Sequence, residues 1–551
     1  MKPALLVVLF VVGVSALPVN VPINPLNSLP DSSLVSTLIS SEKVKNLLKG
    51  TPWLKNQADV DRYQKKLDQL KGKWASKVQA KGATTKKIVN LIWPFKKEKE
   101  FGDKIKIEDS VDSEMQPLLF GDILFTEEQL DHLLANEKRK KRQASTVWKT
   151  WTSGVVNYYF DPIAGYTDAQ KAIIRSGFKY WSDNTCVTFT ETQTPSSKIK
   201  VTNTIGSGCF ATIGMQSNGQ QMSLPSACIT PDTAAHEMAH AMGVFHHQSR
   251  YDRDNYVAVH PENIKPDKDS QSQYNEQTSS DSNNYNTLYD YGSVMHYGDD
   301  FFTNGNGPTM VAADPLHQKT MGSREGPTFQ DISLVNQHYN CLGNCPDLSC
   351  QNNGYPNPVN CDQCICPGGF AGTLCDERPA GTNAGCTGDT LTATDTWQIA
   401  SGALNQPFKQ GVNKDYCYWW ITAPEGSTID IQLAEMTHYA SCGMTGMEVK
   451  AGDMTLTGYK ICPPGTGWVN LTNIPTITST TNQVVVRLYN QWGDFDFKLQ
   501  YALTGSGPAP PPPPPCKNQY SNCNDLASYC TTDPDISTSC PITCNTCPTA
   551  K

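Results

Sequence analysis

The sequence predicts a multidomain chain: an α+β domain behind a long cysteine-free leader, then a small disulfide-rich module, a β-sandwich and a second small disulfide-rich module. Three observations predict it. The 551 residues exceed what one hydrophobic core can organise. The twenty cysteines are absent from the first 185 residues and then fall into groups of four, six, four and six. Each group also has its own composition: mixed helical and alternating patterns around the first, too few residues for a core around the second and fourth, and Thr-rich alternating runs around the third. The net charge of −8 offers no general attraction to nucleic-acid phosphates, so bulk charge argues for no nucleic-acid partner and none is expected.

Residues 1–16 read as a secretory signal, with Lys2, an apolar run from Ala4 to Val12 and the small residues Gly13-Val14-Ser15-Ala16 before a cut after Ala16. That run is short for an anchor and no later stretch is long enough to span a bilayer. The expectation is a secreted, extracellular chain with no transmembrane span, whose cysteines meet an oxidising compartment. Residues 17–142 are Lys-rich, show helical apolar spacing from Val60 to Leu70, and end in Arg139-Lys140-Lys141-Arg142. They read as a pro-segment that a processing protease cuts after Arg142, leaving Gln143 as the new first residue.

From 143 to 341 the α+β domain opens with strand-like alternation in Gly154 to Phe160. A helix follows, in which Thr167 and Gln170 form a capping box ahead of Ala169, Ala172, Ile173 and Tyr180. Residues 342–376 carry Cys345, Cys350, Cys361, Cys364, Cys366 and Cys375, so disulfides replace a core there. Residues 386–501 are rich in Thr, aromatic residues and runs such as Gln483 to Tyr489, which predict an antiparallel β-sandwich. Residues 505–515 form a polyproline spacer, and 516–547 hold the last six cysteines. Asn470-Leu471-Thr472 is a glycosylation sequon.

The chemistry is concentrated in His236-Glu237-Met238-Ala239-His240-Ala241-Met242-Gly243-Val244-Phe245-His246. On a helix, residues four apart share a face, so His236 and His240 present two imidazoles to one ion with Glu237 beside them. Gly243 can take the left-handed conformation that ends the helix and lets the chain return His246 as a third ligand. Three neutral nitrogens suit Zn2+ and leave a position open for water. The pattern is the metzincin signature, and Ser293-Val294-Met295-His296-Tyr297 downstream supplies the methionine turn of that class, with Met295 beneath the metal.

HEMAHAMGVFHHQSRYDRD from His236 to Asp254, together with SVMHY, resembles the astacin family of zinc endopeptidases, over essentially all of 143–341. The resemblance implies one zinc held by His236, His240 and His246, with Tyr297 as an additional, displaceable ligand. It implies peptide-bond hydrolysis by a zinc-activated water with Glu237 as general base and no acyl-enzyme, Tyr297 donating to the developing oxyanion. It also implies disulfides Cys186–Cys341 and Cys209–Cys228, where the sequence alone leaves three pairings open. Cys209 to Met215, Ser217-Asn218-Gly219 and Gln221 to Leu224 read as strand, turn and strand, and in the family the corresponding strand edges the cleft. Arg324 resembles a substrate-binding position that favours an acidic residue after the cleaved bond.

Leu119-Phe120-Gly121-Asp122 resembles the family's latency element, in which an aspartate, here Asp122, takes the metal's open position in the precursor. Leu119 stands where the family has phenylalanine. His247 stands where it has a glutamate that contacts the new amino terminus, and a neutral imidazole cannot form that ion pair. The later modules resemble an EGF-like module (Cys345–Cys361, Cys350–Cys364, Cys366–Cys375), a CUB domain (Cys386–Cys417, Cys442–Cys462) and a ShKT module (Cys516–Cys547, Cys523–Cys540, Cys530–Cys544). Neither the EGF-like module nor the CUB domain has an acidic calcium signature. The ShKT module lacks, between Cys530 and Cys540, the lysine and aromatic of channel-blocking members. The order resembles nematode astacins, some of which act on cuticle or other matrix. The resemblance implies extracellular protein substrates, with the accessory modules binding matrix or substrate proteins.

Overall fold

The computed structural model describes residues 54, 56–85, 121–135, 149–203, 208–279, 282–323, 325–382, 385–404, 414–438, 443–462, 467–491 and 495–509. Residues 1–16, expected to form a signal, and Arg142, Gln143, Arg324, Cys442, Cys516, Cys523, Cys530, Cys540, Cys544 and Cys547 lie outside the described residues. Within them, no helix is long and apolar enough to cross a membrane.

The segment before residue 143 supplies helix α1 (Gln57–Thr85), strand β1 (Ile123–Leu124) and helix α2 (Glu127–Ala135). Tyr63, Leu67, Leu70 and Trp74 recur at helical spacing along one face of α1 and are buried. They cluster with Ile123, Leu124, Phe125 and Leu130, and with Phe210, Ile213 and Phe245 of the domain that follows. The described part of this segment therefore completes its core on its neighbour.

That neighbour contains β2 (Val155–Phe160), α3 (Asp168–Asn184), β3 (Thr188–Glu191), β4 (Ile199–Thr202), β5 (Phe210–Thr212), β6 (Gln220–Ser223) and α4 (Pro231–Ala241). Further along lie β7 (Val257–Val259), α5 (Lys268–Ser272), β8 (Met310–Ala312) and α6 (Phe329–His338). The main sheet has the order β1-β5-β6-β4-β2-β3. Its β3, β2, β4 and β6 run parallel, β5 is antiparallel to β6, and β1 lies parallel along β5.

Helix α3 carries the expected capping box, with Thr167 accepting from the Gln170 amide. Its buried stripe differs from the expected one: Ile174, Gly177, Phe178 and Trp181 face the core, while Ala169, Ala172 and Tyr180 are exposed and Ile173 is half-buried. The i, i+3, i+4, i+7 set containing Ile174, Phe178 and Trp181 wins the interior because it removes more apolar area from water. Trp181 also donates its indole N–H to the Ala235 carbonyl, 3.0 Å away, tying α3 to α4.

Disulfides join Cys186 to Cys341 and Cys209 to Cys228. The next module is a small ladder of β9 (Tyr355–Asn357) and β10 (Asn360–Ile365), stapled by Cys345–Cys361, Cys350–Cys364 and Cys366–Cys375. A two-sheet β-sandwich follows, carrying Cys386–Cys417. One sheet is formed by β11 (Thr390–Thr392), β13 (Asp415–Thr422), β19 (Gln483–Asn490), β15 (Thr445–Lys450) and β16 (Tyr459–Ile461) in that order. The other is β12 (Gln398–Ala403), β20 (Asp496–Leu503), β14 (Ile429–His438) and β17 (Gly467–Asn470), with β18 (Ile477–Thr478) also on β14. The sandwich is antiparallel, as expected, except that β11 runs parallel to β13.

In an ordinary sandwich strand one face is wet. Every residue of β15 is buried here, and β19 is buried at six of its eight positions. The outer face of this sheet is covered by the rest of the chain. Val485 packs with Phe370 of the stapled module, and Arg487 reaches Glu325 of the α+β domain at 2.7 Å. Glu325 also meets Lys460, and Arg487 pairs with Glu448.

Burial alone would raise the Glu325 carboxyl, but Arg487 and Lys460 outweigh it and hold it down at about 2. Since this lies below its ordinary value of 4.5, the stabilisation is present above about pH 4.5 and lost as pH falls towards 2. Replacing Glu325 by Gln leaves buried cations short of a counter-charge and is expected to cost roughly 3 kcal/mol at pH 7. Denaturant melts of wild type and Glu325→Gln should differ by that amount at pH 7 and converge as pH approaches 2.

Candidate active site

Helix α4 begins at Pro231, and the Thr230 side chain accepts from the Thr233 amide as its cap. All side chains from Thr233 to Ala241 are buried, so His236, Glu237 and His240 lie inside the fold. The helix stops at Met242, and Gly243 takes a φ of +101°, after which the chain doubles back to His246. Ligand-capable atoms of His236, His240, His246 and Asp122 all lie within 4.8 Å of one another.

The protonation pattern of this cluster is set by backbone carbonyls. His236 Nδ1 lies 2.7 Å from the Val294 carbonyl and His240 Nδ1 lies 2.7 Å from that of Val244. A carbonyl only accepts, so both Nδ1 atoms donate and each neutral ring turns an Nε2 lone pair inward. Those lone pairs meet a carboxylate: His236 Nε2 is 2.9 Å from Asp122 Oδ2, while His240 and His246 Nε2 are 3.3 and 2.7 Å from Oδ1. Lone pairs do not attract lone pairs. Three nitrogens and one carboxylate oxygen converging in a buried space are the donor set of a small divalent cation, and the carbonyls orient the rings for it.

The turn below is fixed from several sides. Met295 is buried, and its carbonyl accepts from the His247 amide at 2.8 Å. Asp331 of α6 accepts from Ser293 Oγ at 2.6 Å and from the Val294 amide at 2.9 Å. Tyr297 is fully buried, its ring 4.4 Å from that of His246 between centroids, and Gln248 Oε1 accepts from its amide. Gly121, at φ +60°, lies against the Tyr297 hydroxyl and Gln273, where a Cβ would collide with both.

His247 is buried, and its Nε2 accepts from the Asp290 amide at 3.0 Å. Burial pushes its imidazole well below the ordinary value, with Arg250 and His296 adding to the effect. It is a neutral tie between the loop carrying His246 and the turn carrying Met295. The sequence flags His247 only as a departure from a pattern; its partner is 43 residues away, so no local signal identifies it. Asp331, Gln248 and Asp290 were missed for the same reason.

The segment before residue 143 covers this site by more than Asp122. Strand β1 pairs Ile123 with Ala211 and Leu124 with Thr212 along β5, and Gln129 Nε2 donates to the Ile213 carbonyl at 2.9 Å. Lys71 of α1, almost fully buried, pairs with Asp269 of α5 at 2.8 Å. Asn470 is exposed at the end of β17.

A mixed sheet, a helix with two inward imidazoles and a glutamate, a third imidazole after a glycine turn and a methionine turn beneath define a metal-dependent hydrolase. Comparison narrows the class. Residues 143–340 match the family model Astacin, a peptidase family. Zinc metalloproteinase nas-31 of Caenorhabditis elegans is 30% identical over 581 residues, spanning 97% of this chain and 90% of its own. Zinc metalloproteinase nas-17 of the same organism is 34% identical over 394 residues, spanning 69% and 85%. Among solved structures, high choriolytic enzyme 1, a hatching-enzyme zinc protease of the medaka Oryzias latipes, is 31% identical, covers 35% of this chain and 94% of its own, and has a TM-score of 0.32. The chain belongs to the astacin family of zinc metalloproteinases. It is a metalloendopeptidase, and its buried nitrogen and carboxylate donors fit zinc.

His247→Ala strands the buried Asp290 amide and is expected to cost about 1–3 kcal/mol. A thermal or denaturant melt reads this, and an unchanged midpoint would remove the tie assigned to His247.

Proposed function

We propose that this chain is a secreted endopeptidase made as a latent precursor, cut after Arg142 by a processing protease and acting on extracellular proteins of matrix or cuticle. The observation that carries latency is the Asp122 carboxylate between three imidazoles, with β1 lying on the strand beside them. Asp122 occupies the metal's fourth position, and the strand after it covers the β5 edge. Departure of residues 17–142 would open both at once. An extended substrate could then add to that edge, backbone hydrogen bonds giving affinity and side-chain pockets giving choice.

His236, His240 and His246 hold the zinc, which when bound supplies Lewis acidity to the scissile carbonyl and to water. Glu237, one residue from His236, takes the proton of the attacking water and passes it to the leaving amine. Tyr297, its ring against His246, donates from its hydroxyl to the developing oxyanion, a role worth a few kcal/mol at sites of this kind. Arg324 favours an acidic residue after the cleaved bond. The stapled module, the sandwich and the terminal cysteine group are read as EGF-like, CUB and ShKT modules that bind matrix or substrate proteins. Asn470 is a glycosylation site, supported by its exposure.

The test is a diverse peptide library offered to the zinc-replete chain beginning at Gln143. Cleavage should fall by about 10²-fold or more in Glu237→Gln with zinc content retained. Equal activity in that variant would remove Glu237 from the mechanism. In the uncut precursor, Asp122→Ala should release activity without cleavage at Arg142, and continued latency would assign inhibition to the pro-segment helices alone.

A further inference from the structure

The loop joining β15 to β16 touches the protease domain at the turn that leads into Met295 and Tyr297. The Thr457 amide donates to Asp290 Oδ1 at 3.2 Å, and the same oxygen accepts from the Gly292 amide at 2.9 Å. Asp290 in turn donates its own amide to His247, whose amide donates to the Met295 carbonyl. A continuous set of hydrogen bonds thus runs from the sandwich, through Asp290, to the residue beside His246. Gly292 lies so close to Thr457 that a Cβ there would collide with the Thr457 side chain.

Neighbouring contacts hold the loop rigidly in that position. The Gly458 amide donates to Glu448 Oε1 at 2.7 Å, and the Lys460 amide donates to Thr320 Oγ1 at 3.2 Å. Gln330 of α6 donates to Thr455 Oγ1 at 2.9 Å while its Oε1 accepts from the Leu288 amide. Tyr459 donates to Asp314 at 3.1 Å and lies 4.6 Å from the His317 ring between centroids. The buried Glu325–Lys460–Arg487–Glu448 group closes the far side.

We propose that the β-sandwich is a positioning element of the active site, its Thr457 loop forming the outer wall of the turn that sets Met295 and Tyr297. Thr457, Asp290 and Gly292 act through the turn and touch no substrate. This rests on the reading of Tyr297 and the methionine turn as parts of the catalytic centre. Displacement of reacting groups by about 1 Å can cost on the order of a hundredfold in rate, so a wedge at this contact has a measurable effect.

The experiment compares the processed full chain with Gly292→Ala and with Gly292→Ala/Thr457→Gly. The Gly292 backbone is outside the left-handed region, and the three atoms nearest a Cβ placed there all belong to the Thr457 side chain. Gly292→Ala should lower kcat by about tenfold or more with KM and zinc content little changed, and Thr457→Gly should restore most of the loss by making room. A wild-type kcat in Gly292→Ala, or a loss that the second substitution does not relieve, overturns the proposal. If Gly292→Ala does not fold, Arg487→Glu sets a third carboxylate against Glu325 and Glu448 and forces the domains apart. A lowered kcat then supports the proposal and a retained one overturns it. Absence of cleavage by the wild-type processed chain would instead count against the functional reading beneath it.

Discussion

Three imidazoles must aim their lone pairs at one point inside a protein, and the rest of the structure follows from that requirement. Each ring has to give up its other nitrogen to a fixed acceptor, or its tautomer and tilt are undefined. The Val294 and Val244 carbonyls do this for His236 and His240. Val294 belongs to the methionine turn, so the turn exists in part to present a carbonyl to the first histidine. Asp331 fixes the turn through Ser293 and Val294, and Asp331 is itself the N3 residue of the capping box that starts α6. A helix start well beyond His296 in the chain therefore orients a ring on α4. This is how a short motif becomes a site: its ligands are local, their orientation is not.

The same constraint bears on the segment before residue 143. Converging lone pairs invite a carboxylate only if a cation lies between them, so Asp122 and a bound metal would support one another. The surrounding contacts keep Asp122 in register: a strand on β5, a glutamine on the Ile213 carbonyl, and a buried lysine pair between α1 and α5. The α1 stripe is buried in one cluster with Ile123, Leu124, Phe125 and Leu130 and with Phe210, Ile213 and Phe245 of the domain it covers, so that contact contributes part of the segment's apolar burial.

What the sequence disclosed follows the range of the forces involved. The spacing of His236 and His240, the glycine before His246, the capping box at Thr167 and the strand alternation at Gly154 to Phe160 are local periodicities and were legible. The choice of face on α3 was not, because Ala169, Ala172 and Ile173 also make an apolar set and only the opposing sheet decides for Ile174, Phe178 and Trp181. The full burial of β15 and the near-full burial of β19 were equally hidden. Gln483 to Tyr489 reads only as an alternating strand, whereas in the fold its Arg487 pairs with Glu448 and Glu325. Arg324, which the sequence offers for substrate recognition, lies outside the described residues, while Glu325 beside it pairs with Lys460 and Arg487.

The account is tested most directly at the metal itself, by X-ray absorption at the zinc edge on zinc-loaded precursor and on chain processed at Arg142. It predicts three imidazole nitrogens in both, with a carboxylate oxygen at about 2.0–2.2 Å in the precursor that is replaced once the pro-segment is gone. Fewer than three imidazoles, or the same carboxylate signature before and after removal of the pro-segment, would contradict it.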